Sequence, residues 1–585
     1  MKVSMNPILP NPSPLERIIV GVLAAGVVLA VLSCRADATL RFVVAANPVL
    51  WLFVALLLAC VGAPLVIAWR NGLRWLFSRR ALRFHVWLVG GFLTGVVLLY
   101  ATERWRGKRA WAVEARRLAE RGEILSLAEL VPPEVPAAQN FVEAPAFQEL
   151  FGSEMLKSTS WRRPPVIGWP NGRSVDLKPW TRVLRGQGSG ETVSMPRPEE
   201  WQPAASSSPP ASTNAPPPAD ELASARALLD ALGPYETRLR SLAEAAAARP
   251  EARLRHRQPV PGFLAMDLPK NRTDGVRNAA VLLSLRASAR LAAGETDAAL
   301  EDVLLALRLA DVFQGEPYSQ ALDTRCEILM LALQPAWEGM ARHRWSAPQL
   351  ARMQDKLAAI ELRPDLLLAL RGERALSLAF LDRFLGFLEG RTPLRSEPPA
   401  YWDDRFVEGV VRAITPVGWA YQSKAMTCQW FEPGFRAATG QSNRVARVVL
   451  MSEFPRWGDP IFFTFICPRL RWVVEGSLPR AACVQTLLGE AVAACAVERH
   501  RLAQGNYPNR LDDLVPGLLR AAPGDWASGA PVKYEVTDGK GFLLEAAGWP
   551  AQRDRRARGS ERQFRDPLPD WFVEGTLWIW AVPGE

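Results

Sequence analysis

Histidine and cysteine are scarce in this chain: four His (85, 256, 343, 500) and seven Cys (34, 60, 326, 428, 467, 483, 495) in 585 residues. The histidines are scattered, and neither a His-Glu-x-x-His helix nor a Cys/His cluster at zinc spacing is present. The cysteines form no close pair and leave an odd count, so no disulfide can be argued. Cys483 and Cys495 fall 12 apart on one apolar helix face and read as core residues. A Walker-type phosphate loop is missing. Gly186-Gln-Gly-Ser-Gly190 has the glycines of a phosphate cradle without a strand before it or a helix after it, which makes it a loop. A nucleophile-elbow pentapeptide is missing too. These absences leave no catalytic, metal or cofactor-binding residue to assign from motifs.

Acidic residues are nearly lacking from positions 1–110, where Glu16, Asp37 and Glu103 face 13 Lys and Arg. The stretch therefore carries +10, the whole formal net charge of the chain, and residues 111–585 are neutral. A pI near 9.5 would ordinarily suggest a nucleic-acid partner. This distribution argues for a membrane instead, because the same stretch holds three uncharged apolar runs, Ile18–Cys34, Phe42–Trp69 and Phe84–Thr102. A spanning helix needs about 20 mostly apolar residues, and the expected spans are about 18–34, 49–69 and 84–102. Lysine is scarce as well, 9 against 61 Arg. With the alanine richness, that is best explained by a compositional bias of the coding DNA.

Orientation follows from loop arginines. The loop Arg70–Arg83 holds five Arg and no acid, which places it in the cytoplasm and everything after Thr102 outside. Arg104, Arg106, Lys108 and Arg109 run against this rule on the outer side. Val31-Leu-Ser-Cys34 has the outline of a lipoprotein cleavage site, but the spans downstream favour an ordinary membrane-helix cysteine. The expected location is a bacterial inner membrane, multi-pass, with a large extracytoplasmic C-terminal domain.

Past the membrane region (1–103), the chain divides into a membrane-proximal segment (104–194), a disordered Pro/Ser/Ala-rich linker (195–220), a helical domain (221–476) and a C-terminal module (477–585). A short helix is expected over Trp111–Arg121, before the proline-rich Val131–Pro136, and residues 151–194 read as irregular. Helical periodicity marks Leu222–Ala248, stopped by Pro250, then Val276–Ala293 and Asp297–Phe313 as an αα-hairpin. Gly294 suits the left-handed end of the first hairpin helix and Thr296 the cap of the second. The small residues of this hairpin give it a tetratricopeptide-like look, without a second copy at fixed period. Ser346-Ala-Pro-Gln349 is a capping box opening a helix through Leu362. Asp365–Glu389 follows with a broad apolar stripe, interrupted by Glu373-Arg374. An ordinary charged pair on a helix edge is the expectation there, a buried polar site the alternative. Residues 401–476 are aromatic and irregular, and Ile461–Cys467 is too short to span. In the C-terminal module, Val484, Leu487, Leu488, Ala491, Val492 and Cys495 outline an amphipathic helix ending at Gly505-Asn506, on whose polar edge His500 reads as a surface residue. Asn509 can cap a short helix bearing Leu511, Leu514 and Val515. Strands follow at Val532–Val536, Gly541–Leu544 and Trp571–Trp580, with a turn at Asp538-Gly539. The fold class is mainly α: three N-terminal transmembrane helices, a helical ectodomain and a small C-terminal α+β module.

Two stretches resemble a group of uncharacterised bacterial membrane-anchored proteins. One is Glu103-Arg-Trp-Arg-Gly-Lys-Arg-Ala-Trp111 with Arg121-Gly-Glu123, Pro132-Pro-Glu-Val-Pro136 and Asn140-Phe141. The other is Ala496-Val-Glu-Arg-His-Arg-Leu-Ala-Gln-Gly-Asn-Tyr-Pro508 with Leu511-Asp-Asp-Leu514, Asp525-Trp526, Gly529, Pro531 and Tyr534. Ala299-Leu-Glu-Asp302 and Gly372-Glu-Arg-Ala375 look like the same group. The second stretch is also distantly similar to the globular end of type II secretion pseudopilins. Their processing signature is absent from Asn11–Arg17, and Ala546–Pro550 has no carboxylate where their calcium loop would fall. The resemblance implies no activity and no functional residue.

The leading expectation is therefore an uncharacterised membrane-anchored interaction or scaffold protein, with the lipid bilayer and other envelope proteins as partners and no nucleic acid. An envelope enzyme is the second reading, with Glu373, Arg374, Asp512 and Asp513 as its candidate polar residues. A pseudopilin-related secretion component is the third.

Overall fold

The computed structural model describes residues 79–151, 193–194, 221–254, 270–392, 408–413, 415–439, 476–526, 528–537, 541–546 and 578–582. Residues 1–78, with the first two expected spans and most of the Arg70–Arg83 loop, lie outside the described residues, as do Gly186–Gly190, the 195–220 linker, Ile461–Cys467 and the Asp538-Gly539 turn. Arg79–Arg83, expected as loop, is helical.

The described part is mainly helical. Helix α1 is a single rod, Arg79–Glu120, of 42 residues, about 63 Å long at 1.5 Å per residue. It fuses the third apolar run to the short helix expected at Trp111–Arg121, so the boundary at 103/104 falls inside one continuous helix. No proline or helix-ending signal separates the two, and an unbroken i→i−4 ladder costs nothing extra there. Its apolar half is bare: Phe84, Trp87, Leu93, Val97 and Leu98 are all exposed. Its second half is not. From Tyr100 to Leu118 one face packs into the domain.

Helices α2 (Leu127–Leu130) and α3 (Pro145–Phe151) follow, separated by a 3-10 turn at Phe141–Glu143. The Asn140 side chain is buried here and fully used. Its Oδ1 accepts from the Val142 and Arg253 N–H groups, and its Nδ2 donates to the Arg253 carbonyl at 2.8 Å. Strand β1 is Val193–Ser194, in a stretch expected to be irregular.

Helix α4 (Glu221–Ala248) matches its expected span, and α5 (Lys270–Ala293) begins six residues before its own. Helix α6 (Thr296–Ala310) is continued by a 3-10 turn through Phe313. Gly294 takes the left-handed conformation (φ 82°), as expected. Thr296 is the first helical residue rather than the cap, a position held by Glu295. The hairpin is locked by Asp302, buried on α6, whose carboxylate accepts from Arg286 (2.6 Å) and Arg290 (2.8 Å) of α5. Helix α7 (Ser319–Ala341) is the hub of the core, buried on nearly all sides between α5, α6 and later helices. Helix α8 (Ala347–Ala358) opens with the expected capping box, Gln349 Oε1 accepting from the Ser346 N–H at 2.9 Å. It ends four residues before the expected Leu362. Helix α9 spans Arg363–Leu388.

Helix α10 (Val417–Ala438) lies in the stretch read as irregular. Its Gly418, Gly434, Pro433 and five aromatic residues (Trp419, Tyr421, Trp430, Phe431, Phe435) are poor helix formers. Packing between α1 and α9 supplies what local propensity does not. At the contact with α1 a Cβ on Gly107 would sit 2.1 Å from the Gly418 carbonyl oxygen, and one on Gly418 would sit 1.9 Å from that of Glu103. The two glycines let the helix backbones touch.

Helix α11 (Leu478–Gln504) ends at Gly505, left-handed at φ 80°. A 3-10 turn at Leu511–Leu514 follows, its N-cap being Arg510 and not Asn509: Asp513 accepts from the Arg510 N–H at 2.9 Å. Strands β2 (Lys533–Thr537) and β3 (Gly541–Ala546) form an antiparallel hairpin, β4 (Trp578–Val582) pairs antiparallel with β3, and β1 pairs parallel with β4. The sheet order is β1-β4-β3-β2. The membrane-proximal segment thus contributes a strand to the C-terminal module.

Two described helices are long and apolar enough to cross a membrane, α1 and α11. No residue in the apolar window of α1 is buried, whereas that of α11 is 83% buried against α7, α8 and the sheet. Helix α11 is the core helix of the C-terminal module.

Candidate functional site

Glu373 and Arg374 are not a helix-edge pair; both are buried, and they hold three pieces of the chain together. The sequence around them accounts for this. A Cβ on Gly372 would lie 1.7 Å from the Pro317 carbonyl oxygen, so only glycine lets the loop before α7 settle onto α9. That approach sets the first residue of α7 over Glu373, whose Oε1 accepts from the Ser319 N–H at 3.1 Å and from the Ser319 hydroxyl at 2.5 Å. A carboxylate at a helix N-terminus satisfies an orphan amide and complements the helix dipole. Arg374 turns the other way. It donates to Glu123 (2.7 Å) and to the Ile124 carbonyl (3.1 Å), and stacks over Phe435 of α10.

Beyond Ser319 the polar seam continues along α7 to the start of α11. Arg480 reaches Asp323 at 3.4 Å and Glu327 at 3.5 Å, and Arg277 of α5 approaches Glu327 at 3.5 Å. Burial pushes the Asp323 carboxyl up, against the pull of Arg480. Burial and the charges of Glu316 and Glu373 push the Tyr318 phenol up to about 12. Cys326 and Cys483, beside this seam, are free thiols deep in the core whose ionisation burial suppresses. They are inert there, since the thiolate is the reactive form.

Two further networks sit on α11. Glu490 is fully buried with no side-chain partner for its carboxylate, and burial followed by the neighbouring Asp525 charge pushes its carboxyl well up, against the pull of the Ala546 backbone. Asp525 accepts from the Ser528 hydroxyl (2.5 Å) and from the Thr486 hydroxyl (3.4 Å). Nearly two turns before the end of α11, Glu498 accepts from the Tyr507 hydroxyl (3.1 Å) and Arg501 Nε (2.9 Å) and faces His343 Nδ1 at 3.2 Å. His343 ends α7 in the left-handed conformation (φ 51°), which aims its ring at α11. The Glu498…Tyr507-Pro508 motif is thus a clamp between α7, α11 and the turn that leads to the sheet.

Asp512 and Asp513 belong to none of this. Both are exposed; Asp513 caps its 3-10 turn and Asp512 pairs with exposed Arg510 at 3.1 Å. The four candidate residues therefore split into a buried pair and a solvated pair with no common partner. His500 is half-buried on α11. The residues that sequence reasoning missed, Asp323, Arg480, Glu490, Glu498 and His343, share one signal with Glu373-Arg374. Most are charges inside an apolar helical stripe, where burial demands a partner. Among the described residues no three His, Cys, Asp or Glu side chains are grouped to hold a metal ion. These networks fix helices against one another; none presents a nucleophile, a base and an oxyanion site around a common point.

Comparison with protein-family models, curated proteins and solved structures gave no match to this chain.

Proposed function

We propose that this protein is a membrane-anchored scaffold of the bacterial cell envelope, its helical domain extracytoplasmic and its partners other envelope proteins. The observation that carries the reading is α1 itself. Its apolar half is uncharged with no residue buried, and its second half is an integral strut of the domain, with no break in the helix between them. A rigid anchor of this kind fixes a domain's height and tilt above a bilayer, which suits a platform for other proteins. The cations just past the span also have duties inside the domain. Arg104 pairs with Glu389 (3.7 Å) and Arg106 with Glu103 (2.6 Å). Their presence on the outer side follows from folding and does not oppose an orientation set by the five-arginine Arg70–Arg83 loop.

The enzyme reading loses its proposed site with the dispersal of Glu373, Arg374, Asp512 and Asp513. Kinship with pseudopilins is supported by the C-terminal module, one long helix laid on a small antiparallel sheet, and stays part of the proposal. The test is a reporter-fusion topology map with fusions in the Arg70–Arg83 loop and after Gly390, joined to co-purification in gentle detergent. A cytoplasmic signal after Gly390 would overturn the location. A monomer without partners would overturn the scaffold role.

A further inference from the structure

Where α1 leaves its apolar run, the domain comes down to meet it, and cations gather at that level. The Tyr100 hydroxyl, two residues before the end of the run, donates to the Ala413 carbonyl at 2.9 Å. This fixes the short helix 408–413 at the height of the span's last turn. Arg412, exposed, is therefore level with the end of the hydrocarbon, and Arg109 lies about 10 Å further along the helix axis. A carboxylate neutralises some of the cations here: Glu389 takes Arg104 and Arg391, and Glu103 takes Arg106. Three are held differently. Lys108 sits over the Tyr421 ring (5.9 Å), Arg109 over Trp105 (5.6 Å) and Arg412 over Phe387 (4.8 Å). None of the three has a carboxylate partner among the described residues. An aromatic face orients a cation without cancelling its charge.

We propose that Lys108, Arg109 and Arg412 form a collar that binds the anionic headgroups of the leaflet on the domain's side of the membrane. This rests on the reading of α1 as a membrane anchor. Among the described residues, seven cations at this level (Arg104, Arg106, Lys108, Arg109, Arg391, Arg412 and Lys424) face four acids, Glu103, Glu389, Glu408 and the Asp382 that pairs with Lys424, so the collar keeps a net positive charge. Its height is that of the headgroup layer. Arginine and lysine there gain from phosphate oxygens at short range, and salt screens the attraction beyond about a Debye length. Trp105, mostly exposed on the same turn, adds the amphipathic ring that prefers this layer. Together these residues would set the domain's seat on the membrane and favour anionic lipid around the anchor.

The test uses the full chain in vesicles of equal phosphatidylglycerol and phosphatidylcholine, with a trace of one lipid or the other spin-labelled. The expected result is a motionally restricted fraction favouring phosphatidylglycerol by about threefold or more at low salt. In the triple variant Lys108→Gln/Arg109→Gln/Arg412→Gln the preference should fall by at least about half. The charge-keeping set Lys108→Arg/Arg109→Lys/Arg412→Lys should retain it. Equal restriction of both lipids by the unaltered chain overturns the collar. So does a triple variant that keeps the full preference, because the selectivity then belongs to the Arg70–Arg83 loop. If the triple variant loses its helical circular dichroism, Arg109→Gln alone decides, its guanidinium lying over the exposed Trp105 ring; an unchanged ratio overturns the proposal. No restricted component for either lipid would refute the anchor itself, a different failure from loss of selectivity.

Discussion

Helices α1 and α11 satisfy the same length and hydropathy criteria for a membrane span, yet one apolar window has no buried residue and the other is 83% buried. The difference lies in what interrupts the apolar surface. From Phe84 to Thr102, α1 carries no charge and projects Phe, Trp, Leu and Val outward. Helix α11 is built on alanines that let neighbours approach, including Ala481, Ala482, Ala491, Ala493, Ala494 and Ala496, all fully buried. It also carries Arg480 and Glu498, which face Asp323 and Arg501, and Glu490, which burial favours in its uncharged form. Lipid offers no such partners, and a polar group in hydrocarbon costs several kcal/mol. Mean hydropathy cannot see this. The placement of charge within the stripe can.

The sharpest way to break the comparison is one arginine in each helix. Ala494→Arg on α11 forces an unpaired charge and a large side chain into a closed core. We expect loss of the cooperative melt of the domain, a cost above about 4 kcal/mol. Leu93→Arg sits at the centre of the exposed run. It should leave the domain's near-ultraviolet dichroism and melting unchanged, while membrane insertion weakens by about 3 kcal/mol. Carbonate extraction reads the second effect. If both substitutions unfold the domain, the apolar half of α1 is packed and the contrast fails.

A second contrast lies within α1. Gly107→Ala puts a methyl group 2.1 Å from the Gly418 carbonyl oxygen, and since backbone opposes backbone, the helices must part. About 2–3 kcal/mol of destabilisation is expected, read as a lowered melting temperature in detergent. Gly90→Ala, with nothing within 4 Å of its Cβ, should be neutral or stabilising by up to about 1 kcal/mol. Equal effects at the two glycines would mean that α10 does not pack on α1 as described.

How much of this was legible in sequence depended on whether the cause was local. Helices α4 to α6, α8 and α9 have clear periodicity and local stops, such as Pro250 and the Ser346–Gln349 box, and their spans are readable within about six residues. Helix α7, the hub of the core, has no span read from the sequence. Helix α10 is invisible because its glycines, proline and aromatics are chosen for neighbours hundreds of residues away in sequence. The same holds for Gly372, whose need arises from Pro317, and for Asn140, whose partner is the backbone of Arg253. The candidate site divides likewise. A charged pair inside the α9 stripe marks Glu373-Arg374 as unusual, but only the fold shows that one caps α7 and the other anchors residues 123–124. The continuity of α1 was readable in principle, since nothing between Thr102 and Trp111 stops a helix. The arginine-rich stretch there invited a boundary that the backbone does not have.

A finer test concerns the price of polar groups in α11. The Glu490 carboxyl is raised well above its usual value by burial, then by Asp525, while the unfolded chain titrates near the ordinary one. A raised folded value means its contribution to stability is complete below about pH 4.5. That contribution is lost as the pH climbs from there toward the folded value. Glu490→Gln removes the titration and keeps the shape. At pH 8 the variant should be more stable than the unaltered chain by about 1–2 kcal/mol, with the gap closing toward pH 4.5. A gap that does not change with pH would mean that Glu490 finds a cationic partner in solution.

The smallest effect belongs to the solvated acids. Asp512 and Arg510 are both more than two-thirds exposed on their side chains, and an exposed pair of this kind contributes under about 0.5 kcal/mol. Asp512→Asn should shift the melting temperature by no more than the error of a denaturation curve, at any salt concentration. Its counterpart is Glu373→Gln, where a buried carboxylate that accepts from the Ser319 amide and hydroxyl loses its charge. Charge-assisted bonds at a helix N-terminus are worth about 1.5–3 kcal/mol each, and the neutral amide retains only part of that. The ratio of the two losses measures how far burial, and not the presence of an acid, decides what a carboxylate does in this fold. If Asp512→Asn proves the costlier, the exposed turn has a partner that the isolated chain lacks, and the search for an envelope contact should begin at Arg510.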